Sequence, residues 1–138
     1  MFAAVGRMDE ERARLMGPLQ LAYLGDSVWD LLVRSRLVHR GLNVQHMHRE
    51  AIARVNAGAQ AEAFRRLREH LTEREASVAM RGRNAHPHHG VPKNQHPQDY
   101  ADATALESLM GYLCLTGQEA RIRELFAIAQ EETSHAEG

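Results

Sequence analysis

Two carboxylates stand where helix packing alone would not put them. Asp26 falls within Leu21-Ala22-Tyr23-Leu24-Gly25-Asp26-Ser27-Val28-Trp29-Asp30, an apolar helical run, and Glu107 falls within a second one, Tyr100 to Leu115. At ~100° per residue, Leu21, Leu24, Val28, Leu31 and Leu32 form one broad apolar face of the first helix. Leu19, Ala22, Trp29, Val33 and Leu37 form a second. Tyr23, Ser27, Asp30 and Arg34 fill a narrow polar sector, and Asp26 falls between that sector and the second apolar face. In the other helix Leu106, Leu109, Met110 and Leu113 make the main apolar face, and Glu107 shares a small, mildly polar strip with Tyr100, Thr104, Gly111 and Cys114. An enclosed lone carboxylate is protonated or needs a cation. From the residues alone three arrangements stay open: arginine partners at the core edge, a divalent metal shared by the two acids, or plain exposure. Gly25 costs its helix about 1 kcal/mol relative to alanine, which makes sense where another backbone comes close.

The elements that position these acids read as helices throughout, with few β-branched runs and no Asn-Gly hairpin. Gly17-Pro18 starts the first core helix, since proline lacks only a donor that is unpaired there; it is predicted over Pro18 to His39, with Gly41 as its stop. Further helices are predicted near Val44 to Ala57 and Ala59 to His70. Thr72-Glu73-Arg74-Glu75 is a capping box that opens a fourth over Glu73 to Gly82. Asn84 to Gln98 is predicted as a loop, broken by Pro87, Gly90, Pro92 and Pro97. A fifth helix spans about Asp99 to Leu115, and a sixth about Gln118 to Glu132 after the break at Gly117. The expectation is an all-α single domain of about six helices over 17–132, with an N-terminal extension over 1–16 and a frayed tail over 133–138.

The 138 residues suffice for one domain with a real core, and 43% hydrophobic residues suit a folded chain. No apolar run approaches the ~20 residues of a membrane span, so no membrane partner is expected. Arg7, Asp9, Glu10, Glu11, Arg12 and Arg14 interrupt the N-terminus, which argues against a signal peptide. The lone Cys114 makes no internal disulfide and fits a reducing compartment, so the expected location is the cytoplasm. Cys114 itself reads as a buried small hydrophobe. The net charge of −1 hides an asymmetry. Arg34 to Lys93 holds twelve basic and five acidic residues, against five basic and thirteen acidic elsewhere. A basic middle suits an anionic partner on one side; an uneven solvated surface is the plainer reading.

Leu21 to Asp30 resembles the signature helix of ribonuclease III, whose core is Leu-Gly-Asp-Ala-Val, and Thr104-Ala105-Leu106-Glu107-Ser108-Leu109-Met110-Gly111 resembles that family's second acidic helix. The match is closer to the short Mini-ribonuclease III subgroup. Leu-Ala-Tyr-Leu-Gly-Asp (21–26), Arg81-Gly82-Arg83-Asn84-Ala85, Pro92-Lys93-Asn94 and the Glu107 helix with Gly-Tyr-Leu (111–113) recur in that subgroup's order, from Pro18 to about Glu132. The chain has Ala22 and Thr104 where classical ribonuclease III carries two further acids, substitutions that also look like the Mini form. As in that form, no double-stranded-RNA-binding domain is expected after the catalytic part. The resemblance implies a homodimeric endoribonuclease domain of ribonuclease III type that uses Mg²⁺, with Mn²⁺ as a substitute, to cleave double-stranded RNA. Asp26 and Glu107 would be the catalytic and metal-holding residues. The subgroup's typical substrate is the precursor of large-subunit (23S) ribosomal RNA, and a large-subunit ribosomal protein is a candidate further partner. Two other readings compete: a helical RNA- or ribosome-binding module of the same fold without turnover, and a purely structural helical dimer, which leaves the basic segment unexplained.

Within this resemblance Arg81, Arg83 and Lys93 are candidates for phosphate contact, and Asn84 and Asn94 for sugar hydroxyls, because A-form RNA is read mostly by shape, 2′-OH and phosphate. A solvated connector is the plainer reading of the same loop. His86, His88, His89 and His96 crowd it; their spacing matches no zinc pattern, and partial protonation beside RNA is the better use for them.

Overall fold

Caps decide where the helices begin. The computed structural model describes residues 2–85 and 96–137, with side chains through residue 130. Its helices are α1 (Glu10–Arg14), α2 (Pro18–His39), α3 (Val44–Val55), α4 (Ala57–Leu67), α5 (Glu73–Arg83), α6 (Pro97–Leu115) and α7 (Glu119–Glu137), with single 3₁₀ turns at Ala3–Val5 and Arg68–His70. There is no strand among the described residues. Pro18 and Pro97 open α2 and α6, where a missing N–H does no harm. Asn43 accepts from His46 N at 2.8 Å and Asn56 from Ala59 N at 2.9 Å, starting α3 and α4. Thr72 and Glu75 close the capping box of α5 reciprocally, at 3.1 and 2.9 Å. Gly41 and Gly117 follow α2 and α6 with φ of +73° and +71°, a left-handed conformation that glycine adopts without strain.

The predicted helices are all present; the fifth starts at Pro97, inside the predicted Asn84–Gln98 loop, because proline suits a first helical position, the fourth runs one residue further to Arg83, and other boundaries differ too. The break between α3 and α4 falls at Asn56, because its side chain caps α4 and its amide reaches the carbonyls of Ile52 and Ala53. The third predicted helix ends at Leu67 and tightens to a 3₁₀ turn through His70. The last helix runs past the predicted fray to Glu137. A seventh helix, α1, lies within the predicted N-terminal extension. Asp9 caps it, Ala13 is fully buried, and Arg74 of α5 pairs with Glu10 and Glu11, so the segment is docked on the domain.

Helix α6 is the axis. It packs against α2, α4, α5 and α7, and twelve of its residues are buried, including Leu106, Leu109, Met110 and Leu113. A helix buried on most of its circumference is what the centre of a helical bundle requires. Around it Leu21, Trp29, Leu37, Phe64, Leu67, Ile122 and Leu125 complete the core, with Trp29 edge-on to Phe126 at 5.1 Å. The closest approach is α2 on α6. A Cβ built on Gly25 would overlap the carbonyl oxygen of Glu107, and one on Gly111 would overlap that of Leu21. Ser108 Oγ donates to Pro18 O at 3.0 Å across the same crossing.

Candidate functional site

The α2–α6 crossing brings the two acids together. Asp26 follows Gly25 directly, and Glu107 is the residue whose backbone Gly25 touches. Both side chains line one open cleft of about 470 Å³ with Leu19, Ala22, Tyr23, Ser27, Tyr100 and Thr104. Asp26 is exposed at the cleft mouth, more open than its place on the helical wheel implied, while Glu107 is half-buried. The wheel put Asp26 beside Leu19, and Leu19 is itself 39% exposed, so the second apolar face is less enclosed at its N-terminal end. Thr104 cannot serve as a third charged ligand, and its hydroxyl donates to Tyr100 O at 2.8 Å.

Neither Asp26 nor Glu107 has an arginine partner among the described residues, which removes the ion-pair reading of the two acids. Burial first, and then the neighbouring Asp26 carboxyl, push the Glu107 carboxyl up to about 8. Two carboxyls so placed hold a proton between them or invite a cation. Among the described residues no cluster of three or more His, Cys, Asp or Glu side chains exists, so the candidate centre is this pair. The donor set fits a hard divalent ion that takes oxygen ligands and keeps much of its water, as Mg²⁺ does.

The candidate RNA contacts divide by position. Arg81 donates through Nη1 to the carbonyl of Arg14, tying α5 to α1. Arg83 donates through Nε to Asp102 Oδ1 at 2.7 Å. Asn84 is exposed at the C-cap of α5. Lys93 and Asn94, like His86, His88 and His89, lie outside the described residues. His96 caps α6, its Nδ1 accepting from Gln98 N at 3.2 Å. Cys114 is buried, and its thiol is pushed up by burial and then by Glu119. Residue pattern alone missed Asp102, a buried acid of α6 that holds Arg65 and Arg83. Its neighbours in sequence give no sign of partners on two other helices.

The ribonuclease III domain pattern matches residues 19–118. The chain is 46% identical over 115 residues to a Mini-ribonuclease 3 of Symbiobacterium thermophilum, covering 83% of this chain and 88% of that one. It is 39% identical over 128 residues to the Mini-ribonuclease 3 of Gloeobacter violaceus, covering 93% of each. A crystal structure of a Fusobacterium nucleatum protein superposes with a TM-score of 0.77 at 28% identity, covering 87% of this chain and 93% of that one.

Proposed function

Because this chain belongs to the ribonuclease III family and is an endoribonuclease of its Mini-ribonuclease III kind, we propose that it cleaves double-stranded RNA with Mg²⁺ held by Asp26 and Glu107. The observation that carries this reading is the convergence of those two carboxyls in one open cleft with no arginine partner among the described residues. When bound, the metal supplies a water of lowered pKa and neutralises charge on the leaving oxygen; Mn²⁺, another oxygen-seeking ion, is a workable substitute. The protein's own contribution is placement. Gly25 and Gly111 let α2 and α6 meet at the backbone, which sets the spacing of the acids. Among the described residues that line the cleft, Asp26 and Glu107 are the only charged ones.

The substrate reading rests on charge and on the family. Arg81, Arg83, Asn84, Lys93 and Asn94 would meet phosphates and ribose hydroxyls of the duplex, and the resemblance points to the precursor of large-subunit ribosomal RNA, with a large-subunit ribosomal protein as a candidate partner. A cytoplasmic location agrees with that substrate, and no described helix is long and apolar enough to cross a membrane. A homodimer is supported by an unpartnered apolar face. Val38 of α2 and Val44 of α3 line one shallow pocket, and with Ile52 of α3 they are 62%, 75% and 57% exposed. Two sites about a two-fold axis match the two strands of a duplex.

Purified protein incubated with duplex RNA tests the reading. Cleavage is expected with Mg²⁺ and not with EDTA, and single-stranded RNA of the same sequence is expected to survive. Binding of the duplex without cleavage under every metal condition would make the chain an RNA-binding module instead.

A further inference from the structure

We propose that Arg65 and Arg83, both anchored on the buried carboxylate of Asp102, form a clamp for a backbone phosphate of the RNA beside the N-terminal part of α6. The proposal rests on the duplex-RNA reading above and adds Arg65 as a binding residue and Asp102 as a positioning residue.

Asp102 on α6 is 3% exposed. One carboxylate oxygen accepts from Arg65 Nε of α4 at 3.0 Å, the other from Arg83 Nε of α5 at 2.7 Å. The guanidinium ends stay at the surface, with side chains 43% and 33% exposed. Arg83 donates only its Nε, and Arg65 adds Nη2 to Asp99 at 2.8 Å. Both Nη groups of Arg83 and Nη1 of Arg65 therefore have no partner among the described residues. A guanidinium is a planar fork of five donors. Fixing it through Nε sets its plane and leaves the Nη edge for a second anion, and phosphate is the anion such an edge matches.

A strut between helices looks different, and the same molecule contains one. Arg121 of α7 gives Nε and Nη2 to Glu75, Nη2 again to His70 O, and Nη1 to Glu124, so all three nitrogens are consumed. Arg65 and Arg83 are held firmly but not exhausted. Asp99, which takes Arg65 Nη2, and Tyr100, which lines the cleft, share the first turn of α6, so a duplex lying along that end of the helix can reach both faces. Arg68, in the 3₁₀ turn that follows α4 and with its guanidinium 5.4 Å from the centre of the Phe64 ring, is a further positive charge close in sequence to Arg65.

Equilibrium binding of a short RNA duplex, measured without divalent metal over a range of salt, tests the clamp beside thermal melting of each variant. Arg65→Gln and Arg83→Gln are each expected to weaken binding by about tenfold, the loss of a charge-assisted contact. Each should also reduce the slope of log affinity against log salt by about 0.7–0.9. Asp102→Asn is the sharper variant. Removing a negative charge near RNA would tighten binding if charge alone mattered; the clamp requires weaker binding, because both forks lose their anchor. Asp99→Asn, which leaves the Nε anchors in place, should not weaken it. Lower melting temperatures with the parent's affinity and salt slope would make Asp102 a strut and overturn the proposal. If a variant fails to fold, the parent protein decides: duplex RNA should protect Arg65 and Arg83, but not Arg121, from an arginine-specific glyoxal reagent, and absence of that protection overturns the clamp. A parent protein that cleaves duplex RNA without such protection sinks the clamp alone, whereas one that neither binds nor cleaves duplex RNA sinks the function with it.

Discussion

The carbonyl oxygen of Glu107 fills the space that a side chain on Gly25 would need. Main chain rests on main chain at that point, and the two acids sit on either side of the contact. The spacing of the pair is therefore set by two helix backbones, which move little, rather than by long side chains, which move easily.

Gly25→Ala tests that relationship. In an exposed helix the change gains about 1 kcal/mol from helix propensity. Here the new methyl meets a backbone atom, and overpacking of this kind costs about 1–3 kcal/mol. We expect a lower melting temperature, and a loss of cleavage larger than the loss of stability, assayed where both proteins remain folded. Gly111→Ala should behave alike, since its Cβ would meet Leu21 O. A more stable Gly25→Ala protein would show that the backbones do not touch.

Asp26→Asn should abolish cleavage while leaving helicity and melting almost unchanged, because Asp26 is exposed and has no ion-pair partner among the described residues. Glu107→Gln should also be inactive, with partial recovery at high Mg²⁺. Single-turnover cleavage within a factor of about two of the parent, a difference worth less than 0.5 kcal/mol of barrier, would contradict the assignment.

Proton and metal compete at Glu107. With its carboxyl pushed up to about 8, the metal-free protein carries a proton there at neutral pH. Metal binding at pH 7 should release it, and affinity should rise with pH until about 8 and then level. Calorimetry in buffers of different ionisation enthalpy reads the released proton, and Glu107→Gln should abolish it. The metal-free fold has the matching dependence. The unfolded chain loses this proton near the ordinary carboxyl value and the folded chain only near 8, so the contribution is complete below the ordinary value and disappears as pH rises through 8.

Glu75 has the opposite sign. Burial pushes its carboxyl up, but hydrogen bonds from Arg121 and Thr72 and the Arg121 charge outweigh that and leave it below the ordinary value. Its contribution is present above the ordinary carboxyl value and is lost as pH falls through the lowered one. Denaturant titrations of the parent and Glu75→Gln should converge in acid and separate above pH 5; parallel curves would show that the pair does not stabilise the fold.

The dimer is tested on its apolar face. Sedimentation at micromolar concentration should give a two-fold particle, and Val38→Asp with Val44→Asp should give a folded monomer, because neither side chain belongs to the core. A parent protein that sediments only as a monomer would remove the dimer.

Much of this was legible in the residues. The glycine beside Asp26 announced a close backbone, the Thr72–Glu75 box announced α5, and the strip shared by Tyr100, Thr104 and Glu107 became the wall of the cleft. The failures have physical causes. Helix α1 is five residues long and buries only Ala13, too little for a periodic signal. Asp26 is more exposed than its helical wheel implied, since a wheel shows direction but not where the neighbouring helix stops covering it. Asp102 lies 37 residues from one arginine partner and 19 from the other, a relation that no local pattern contains.

Cys114 carries a practical consequence. It is the chain's single cysteine, it is 2% exposed, and its thiol is held above the usual range. The native surface is thus close to inert towards maleimides and similar reagents, which react with accessible thiolate. A cysteine introduced at Ser77, exposed on α5 away from the cleft, would accept a fluorophore or spin label with little competing labelling. Distances between such labels across the proposed dimer, or between the protein and an added duplex, then become measurable without first removing a native thiol.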